Sequence, residues 1–256
     1  MTRILVTNDD GIDSPGLHHL ARALHAAGHT VVVAAPAQDA SGTSASVTYP
    51  GPGQQLTVDR RDLPDLPDVA AYALAAPPAL ITLVAVRGGL GRPPDVVVSG
   101  VNRGANTGHA ILHSGTVGAA LTAAANGCPA IAVSLQLDDE ATQPAYWEAA
   151  TRYLPALLPA LRQSATPIVL NLNAPNLPPD QLRGLREARL AAFGAVQTTV
   201  RTGDGYVELS LADTEASREP GTDSALLADG YATVSAVTPI LEVPDVSLRA
   251  VLDTVS

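Results

Sequence analysis

The feature that most restricts the fold of this chain is a recurring order: a short β-branched run, a polar loop, then a helical stretch. Residues 3–7, RILVT, read as a buried strand that stops at NDDGIDSPG, a segment dense in turn formers, before the helical periodicity of LHHLARALHAAG. The order returns with a strand at Thr30–Ala35. It returns again at Asp95–Val98, which ends at SGVNRGANTG ahead of a helix over about Ser114–Asn126, with a further strand at Ala130–Leu135. Strands separated by helices pair in parallel, because each crossover brings the chain back to the same end of the sheet, and the helices then cover both faces. The predicted fold class is α/β, with functional loops at the carboxyl ends of the strands. Composition agrees: hydrophobic residues make up 46% of the chain but aromatics only 3%, so the core must be built from Ala, Val, Leu and Ile, as parallel sheets are.

At 256 residues the chain can bury a substantial core as one domain. Residues from about 1 to 185 read as that core, and those from about 186 to 256 as an arm and a carboxyl-terminal segment. VTYPGPGQQLTVD (Val47–Asp59) reads as two extended pieces around a Pro/Gly turn and Pro64–Asp68 as a connection, both beside the core. A helix is expected over Ala145–Leu161 and a strand at Ile168–Asn173. Extended stretches near Leu190–Val200 and Tyr206–Leu211 predict a hairpin arm. GTDSALLADGYATVSAVTPI then returns to the body, and a last helix is expected near Ser247–Thr254.

Several function classes drop out. A net charge of −10 disfavours a general nucleic-acid or anionic-membrane binder, whose affinity comes from clustered cations. All 15 basic residues are Arg, so there is no Walker lysine, Schiff-base lysine or kinase ATP lysine. One cysteine, Cys128, permits neither an intrachain disulfide nor a cysteine-rich zinc site, and a reducing cytoplasm is the simple reading. MTRILVTNDD lacks the apolar region of a signal peptide, and no uncharged apolar run approaches the ~20 residues of a membrane span. A Rossmann-type dehydrogenase fits poorly, because no G-x-G-x-x-G follows the first strand and the loop there is acidic.

Chemistry concentrates in three loops. Asn8-Asp9-Asp10-Gly11 places adjacent carboxylates at a strand end, where they repel unless a cation or proton separates them. Oxygen donors without Cys or a nearby His suit Mg²⁺ or Mn²⁺ better than zinc, while an Asx turn capping the next helix is the plain alternative. AQDASGTSAS offers Ser41, which alone means little. SGVNRGANTG brings Asn102, Arg103 and Asn106 together with three glycines, and leads into Ser114-Gly115-Thr116 at a helix start. That start would attract a phosphate, although Ser114 reads equally as an N-cap. His109 and His113 are candidate proton donors or incidental, and Arg103 is a phosphate fork or a solvated cation. His18, His19 and Cys128 are assigned to packing or solvent.

Taken in order, LVTNDDGIDSPG, the SG of QDASG, VVVSGVNRGANTG and HSGTVGAA resemble the SurE survival-protein family of metal-dependent nucleotide phosphatases, with a weaker echo in GTDSALLADGY and in Thr238-Pro239. The resemblance implies a Rossmann-like core with one divalent cation, Mg²⁺ or Mn²⁺, held by Asp9, Asp10, Ser41 and Asn102. It implies Asp9 and Asp10 as the catalytic carboxylates, with Asn8, Asn106, Ser114, Gly115 and Thr116 around the phosphate. It also implies hydrolysis of nucleoside 5′- and 3′-monophosphates, and homodimers or homotetramers formed through carboxyl-terminal arms. The cation would polarise the phosphoryl group and activate a water; attack by Asp9 itself is the alternative. Three departures bear on substrate range and subunit contacts. AAPPALI (Ala75–Ile81) stands where the family shows Gly-Thr-Pro-x-Asp-Cys, Ala110 replaces an acidic residue, and Thr122 replaces a Glu. A silent nucleotide- or metal-binding protein and a phosphatase of a non-nucleotide metabolite are the competing readings.

Overall fold

The computed structural model describes residues 1–48, 53, 55–137, 144–164, 166, 168–192, 196–203, 205–213 and 219–240. The expected helix near Ser247–Thr254 lies outside the described residues. The first strand, β1 (Arg3–Thr7), is followed by helix α1 (Pro15–Ala26), whose buried positions Leu17, Leu20, Ala21 and Leu24 recur at helical spacing. Next come β2 (Thr30–Pro36), β3 (Val58–Arg61), β4 (Ala70–Leu74), α2 (Pro78–Val86), β5 (Val96–Arg103), a 3₁₀ turn (Gly108–His113) and α3 (Gly115–Ala125). The chain continues through β6 (Ala130–Gln136), α4 (Trp147–Thr151), α5 (Leu154–Arg162), β7 (Val169–Pro175), β8 (Leu185–Glu187), β9 (Val196–Gly203), β10 (Tyr206–Asp213), α6 (Asp223–Ala228) and β11 (Ala232–Val237).

Nine strands form one sheet in the order β3-β4-β2-β1-β5-β6-β7-β11-β8. The run from β4 to β7 is parallel, and antiparallel pairs occur at β3–β4 and β7–β11. Side chains alternate between two cores. Ile4, Val6, Val31, Val33, Val96 and Val98 face the layer of α1, α4 and α5, whereas Leu5, Ala34, Val97, Ala130 and Ala132 face α2 and α3. This is the mostly parallel sheet with both faces covered that the strand–helix alternation predicts, and the Rossmann-like core that the family resemblance implies. β9 and β10 pair antiparallel in a separate two-stranded sheet, a hairpin at the place expected for one.

The structure corrects the sequence reading in three places. The end of Val47–Asp59 is not an excursion beside the core: Val58 and Asp59 open β3, which pairs with β4 at the edge of the sheet, while Pro64–Asp68 lies in the connection between those two strands and α2 follows β4. β5 runs on through Ser99–Arg103, expected as loop, because Asn102 and Arg103 pair with Ser134 and Leu135 of β6 beyond a register shift. Gly100 makes that shift fit, since at its φ of 138° a Cβ would lie 2.2 Å from the Val133 carbonyl oxygen. The expected helix over Ala145–Leu161 is two helices, because Pro155 has no N–H to give to Thr151.

The residues assigned to packing are held as such. His18 bonds the Ile12 carbonyl and His19 the Thr151 hydroxyl, while Cys128 is buried, its thiol pushed up to about 11 by burial and the nearby Asp95.

Candidate active site

The sheet order reverses at β1. From there the chain moves outward through β2 to β4, then returns to β5 on the other side and proceeds to β7. The loops that leave β1 and β5 therefore diverge and open a crevice at the carboxyl ends of the strands, where ligands of doubly wound sheets bind. Asn8, Asp9 and Asp10 leave β1 into this crevice, Asn102 and Arg103 enter it from β5, and the Asp39–Ser41 segment follows β2 beside it. The Ala40 N–H donates to the Asp9 carbonyl at 2.8 Å, which ties the Ser41 loop to the carboxylate loop.

Asp9 is buried, and its Oδ1 accepts a short hydrogen bond from the Thr116 hydroxyl, in the first turn of α3. Burial raises its pKa, against the opposing pull of the Thr116 hydroxyl and N–H. Asp10 is pushed up to about 6, by burial first and then by the charge of Asp9, with the Arg103 guanidinium pulling the other way from 3.5 Å. The Asp10 Oδ2 and Asn8 Oδ1 atoms are buried without a hydrogen-bond partner. The Asn8 amide is fixed by its Nδ2, which donates to the Gly11 carbonyl at 3.1 Å. Asn102 is fixed likewise: its Nδ2 donates to the carbonyls of Gly104 at 2.8 Å and Arg103 at 3.2 Å, which turns its Oδ1 the opposite way. Ser41 is exposed, and its N–H donates to Asp39 Oδ1 at 2.8 Å. Two repelling buried carboxylates, orphaned buried oxygens and an oriented amide oxygen are what a hard divalent cation would satisfy. The residues present fit such an ion. Among the described residues there is no group of three His, Cys, Asp or Glu side chains that could hold a metal.

The other residues assigned to phosphate are engaged within the protein. Ser114 caps α3 by accepting from the Val117 N–H at 3.1 Å. Asn106 is clamped: its Nδ2 donates to the Ser134 hydroxyl, its N–H to Asn173 Oδ1, and its carbonyl accepts from Asn171 and Asn173. Gly115 allows Asp9 to approach the helix, because a Cβ there would fall 2.7 Å from Asp9 Oδ2. His109 and His113 are exposed on the 3₁₀ turn. Of the departures, Leu80 and Ile81 are buried in α2, Ala110 is exposed, and the Thr122 hydroxyl bonds back to Gly118 within its own helix.

Sequence reasoning missed Asn171, Asn173 and Asp223. The signal for the first two was present, since asparagines two apart in VLNLN place amides on one face of a buried strand. Asp223 is fully buried and accepts the N–H groups of Gly108 and Ala191 at 2.8 and 2.9 Å, a reach that no local pattern shows.

Two predictions arise here. Gly115→Ala should displace Asp9 or the start of α3, lowering stability by about 1–3 kcal/mol and weakening Mg²⁺ or Mn²⁺ binding; thermal melts and metal titration check both. The raised pKa of Asp10 carries a stability sign. The folded state holds the proton more tightly than the unfolded one, so the contribution is present below pH ~4 and lost as pH rises through about 6. In EDTA at pH 7, Asp10→Asn should therefore be more stable than wild type by a few kcal/mol, and the difference should vanish near pH 4. Denaturant melts at the two pH values measure it, and equal stabilities at pH 7 would refute it.

A doubly wound sheet with two adjacent carboxylates at its switch point defines an α/β protein with a polar crevice at the carboxyl ends of its strands. The chain belongs to the SurE family: the profile of Survival protein SurE matches residues 4–195. It is 37% identical over 244 residues to the 5′-nucleotidase SurE of Syntrophobacter fumaroxidans, covering 93% of this chain and 92% of that one. It is 37% identical over 246 residues to the 5′-nucleotidase SurE of Rubrobacter xylanophilus, covering 92% and 91%. The crystal structure of the SurE protein from Aquifex aeolicus superposes with a TM-score of 0.77 at 27% identity, covering 99% of both chains.

Proposed function

We propose that this chain is a phosphate-monoester hydrolase that releases phosphate from nucleoside 5′- and 3′-monophosphates with the help of one divalent cation, Mg²⁺ or Mn²⁺. The observation that carries it is the buried Asp9–Asp10 pair, with the Asp10 Oδ2 and Asn8 Oδ1 atoms unpartnered, at the switch point of a chain whose relatives are named 5′-nucleotidases. Asp9, Asp10, Ser41 and Asn102 would hold the cation, which supplies Lewis acidity toward the phosphoryl group and its attacking water. Thr116 orients Asp9 by donating to Oδ1, and Arg103, 3.5 Å from Asp10, offsets part of the rise that burial and the charge of Asp9 impose on it. A carboxylate of Asp9 or Asp10 would assist by taking the proton of the attacking water. Asn8, Asn106 and the Ser114–Gly115–Thr116 turn are assigned to the surroundings of the phosphate, with Asn171 and Asn173 holding Asn106 in place.

The β9–β10 hairpin is assigned as the arm through which subunits join in a homodimer or homotetramer, within a single domain spanning residues 1–256. No described helix is long and apolar enough to cross a membrane, and the single buried thiol suits a reducing cytoplasm. The test is phosphate release from a panel of nucleoside monophosphates and simple phosphate esters with Mg²⁺, Mn²⁺ or EDTA. Turnover that needs the metal and favours nucleotides is expected; no turnover of any ester in any metal would sink the reading.

A further inference from the structure

Among the ion pairs between described residues, Asp10–Arg103 is the one whose carboxylate is buried: the Asp10 side chain is 5% exposed, whereas the acidic partners in the other pairs are 41–83% exposed. Pairs between exposed side chains contribute little and need no functional account. A guanidinium Nε 3.5 Å from a buried carboxylate of the active site does. Arg103 is the last residue of β5, and its backbone is fixed by pairing with Leu135 of β6. Its side chain is 34% exposed on a flexible stem, so the guanidinium can swing within the crevice without unpacking the core. Its charge also acts on Asp39, in the loop after β2 that carries Ser41. Arg103 therefore stands amid the segments that supply the proposed cation ligands.

The carboxylate that Arg103 faces is one of those assigned to the divalent cation. Two positive charges drawn to one carboxylate repel each other, and the repulsion is stronger beside a buried group than in water. Arg103 thus opposes the cation as long as no anion joins the two. A phosphate group reverses the sign, since its oxygens can take a cation and a guanidinium fork at once. We propose that Arg103 couples the two ligands: it resists the divalent cation when phosphate is absent and turns from Asp10 to the phosphate oxygens when phosphate is present, so that cation and phosphate bind cooperatively. The consequence is that the site takes up its cation most firmly together with a phosphorylated ligand. This rests on the hydrolase reading above, which places cation and phosphate in the same crevice.

The experiment titrates Mn²⁺ by electron paramagnetic resonance into wild type, Arg103→Gln and Arg103→Lys, each with and without inorganic phosphate, and so reads binding without any turnover. In wild type, phosphate should tighten Mn²⁺ binding about tenfold. R103Q should bind Mn²⁺ alone about tenfold more tightly than wild type and respond to phosphate by about twofold or less. R103K keeps the charge but not the planar fork, so it should bind Mn²⁺ alone as wild type does and retain only part of the phosphate effect. A substitution that merely loosened the fold would weaken Mn²⁺ binding, which is the opposite direction. Mn²⁺ binding by R103Q no tighter than by wild type, or a phosphate effect in R103Q equal to that in wild type, overturns the coupling. Coupling that behaves as stated beside an absence of phosphate release from every ester would instead overturn the hydrolase reading and leave the coupling standing.

Discussion

Asp9→Ala should lower metal-dependent phosphate release by about a thousandfold or more, while leaving a folded protein. Asp9 stands where the loop after β1 meets the first turn of α3, and Thr116 donates to it from one side. Removing it takes away one of two adjacent anionic donors and the group that Thr116 orients. Folding should not suffer in the absence of metal, because burial first, and then the charge of Asp39, make ionised Asp9 a cost to the folded state. The measurement is phosphate release by wild type and D9A at saturating Mg²⁺ or Mn²⁺, paired with thermal melts with and without the ion. Wild type should gain melting temperature on adding the ion, and D9A should gain much less. Asp9→Asn, which keeps an acceptor for Thr116 but not the charge, should be equally inactive. A D9A protein that keeps a tenth of the wild-type rate would remove Asp9 from the chemistry.

The largest stability effect is expected away from the carboxylates. Asp223→Ala should cost about 3–5 kcal/mol, because it strips the acceptors from buried N–H groups that a charged carboxylate now satisfies. Asp223 takes the Gly108 N–H with one oxygen and the Ala191 and Ser224 N–H groups with the other. It thereby joins the start of the 3₁₀ turn, the segment after β8 and the first turn of α6. For a chain of this size the loss corresponds to a fall in melting temperature of about 10 °C or more, read by a thermal melt. Asp223→Asn should recover part of it, since an amide supplies one acceptor oxygen but turns an N–H₂ toward a backbone donor. A melting temperature within about 2 °C of wild type would show that these N–H groups find other partners.

Legibility of the fold followed the strength of local signals. β1, β2 and β6 are β-branched or aliphatic runs bounded by turn formers, and the structure places them where the sequence does. β4 and α2 were not legible, for opposite reasons. AAYAL has almost no intrinsic strand preference and is a strand because β2 and β3 pair with it from both sides. PALITLVAV is apolar nearly all round, so it carries no helical period to read. The extension of β5 was hidden by Gly100 and Asn102, residues typical of loops that here follow a register shift.

The candidate site divides in the same way. By itself the sequence determined the α/β class, the carboxylate pair at the end of the first strand and the helix start at Ser114. Each of these is written in neighbouring residues whose spacing and turn chemistry act over one or two turns of chain. Only the tertiary structure decided that the first turn of α3 is aimed at Asp9 rather than left open, and that Arg103 faces Asp10. It alone decided that Asn171, Asn173 and Asp223 brace the 106–108 segment from 65 to 115 residues away. Those contacts depend on which strands become neighbours. Strand order is set by burying both faces of one sheet at once, a condition on the whole chain that no local run of residues contains.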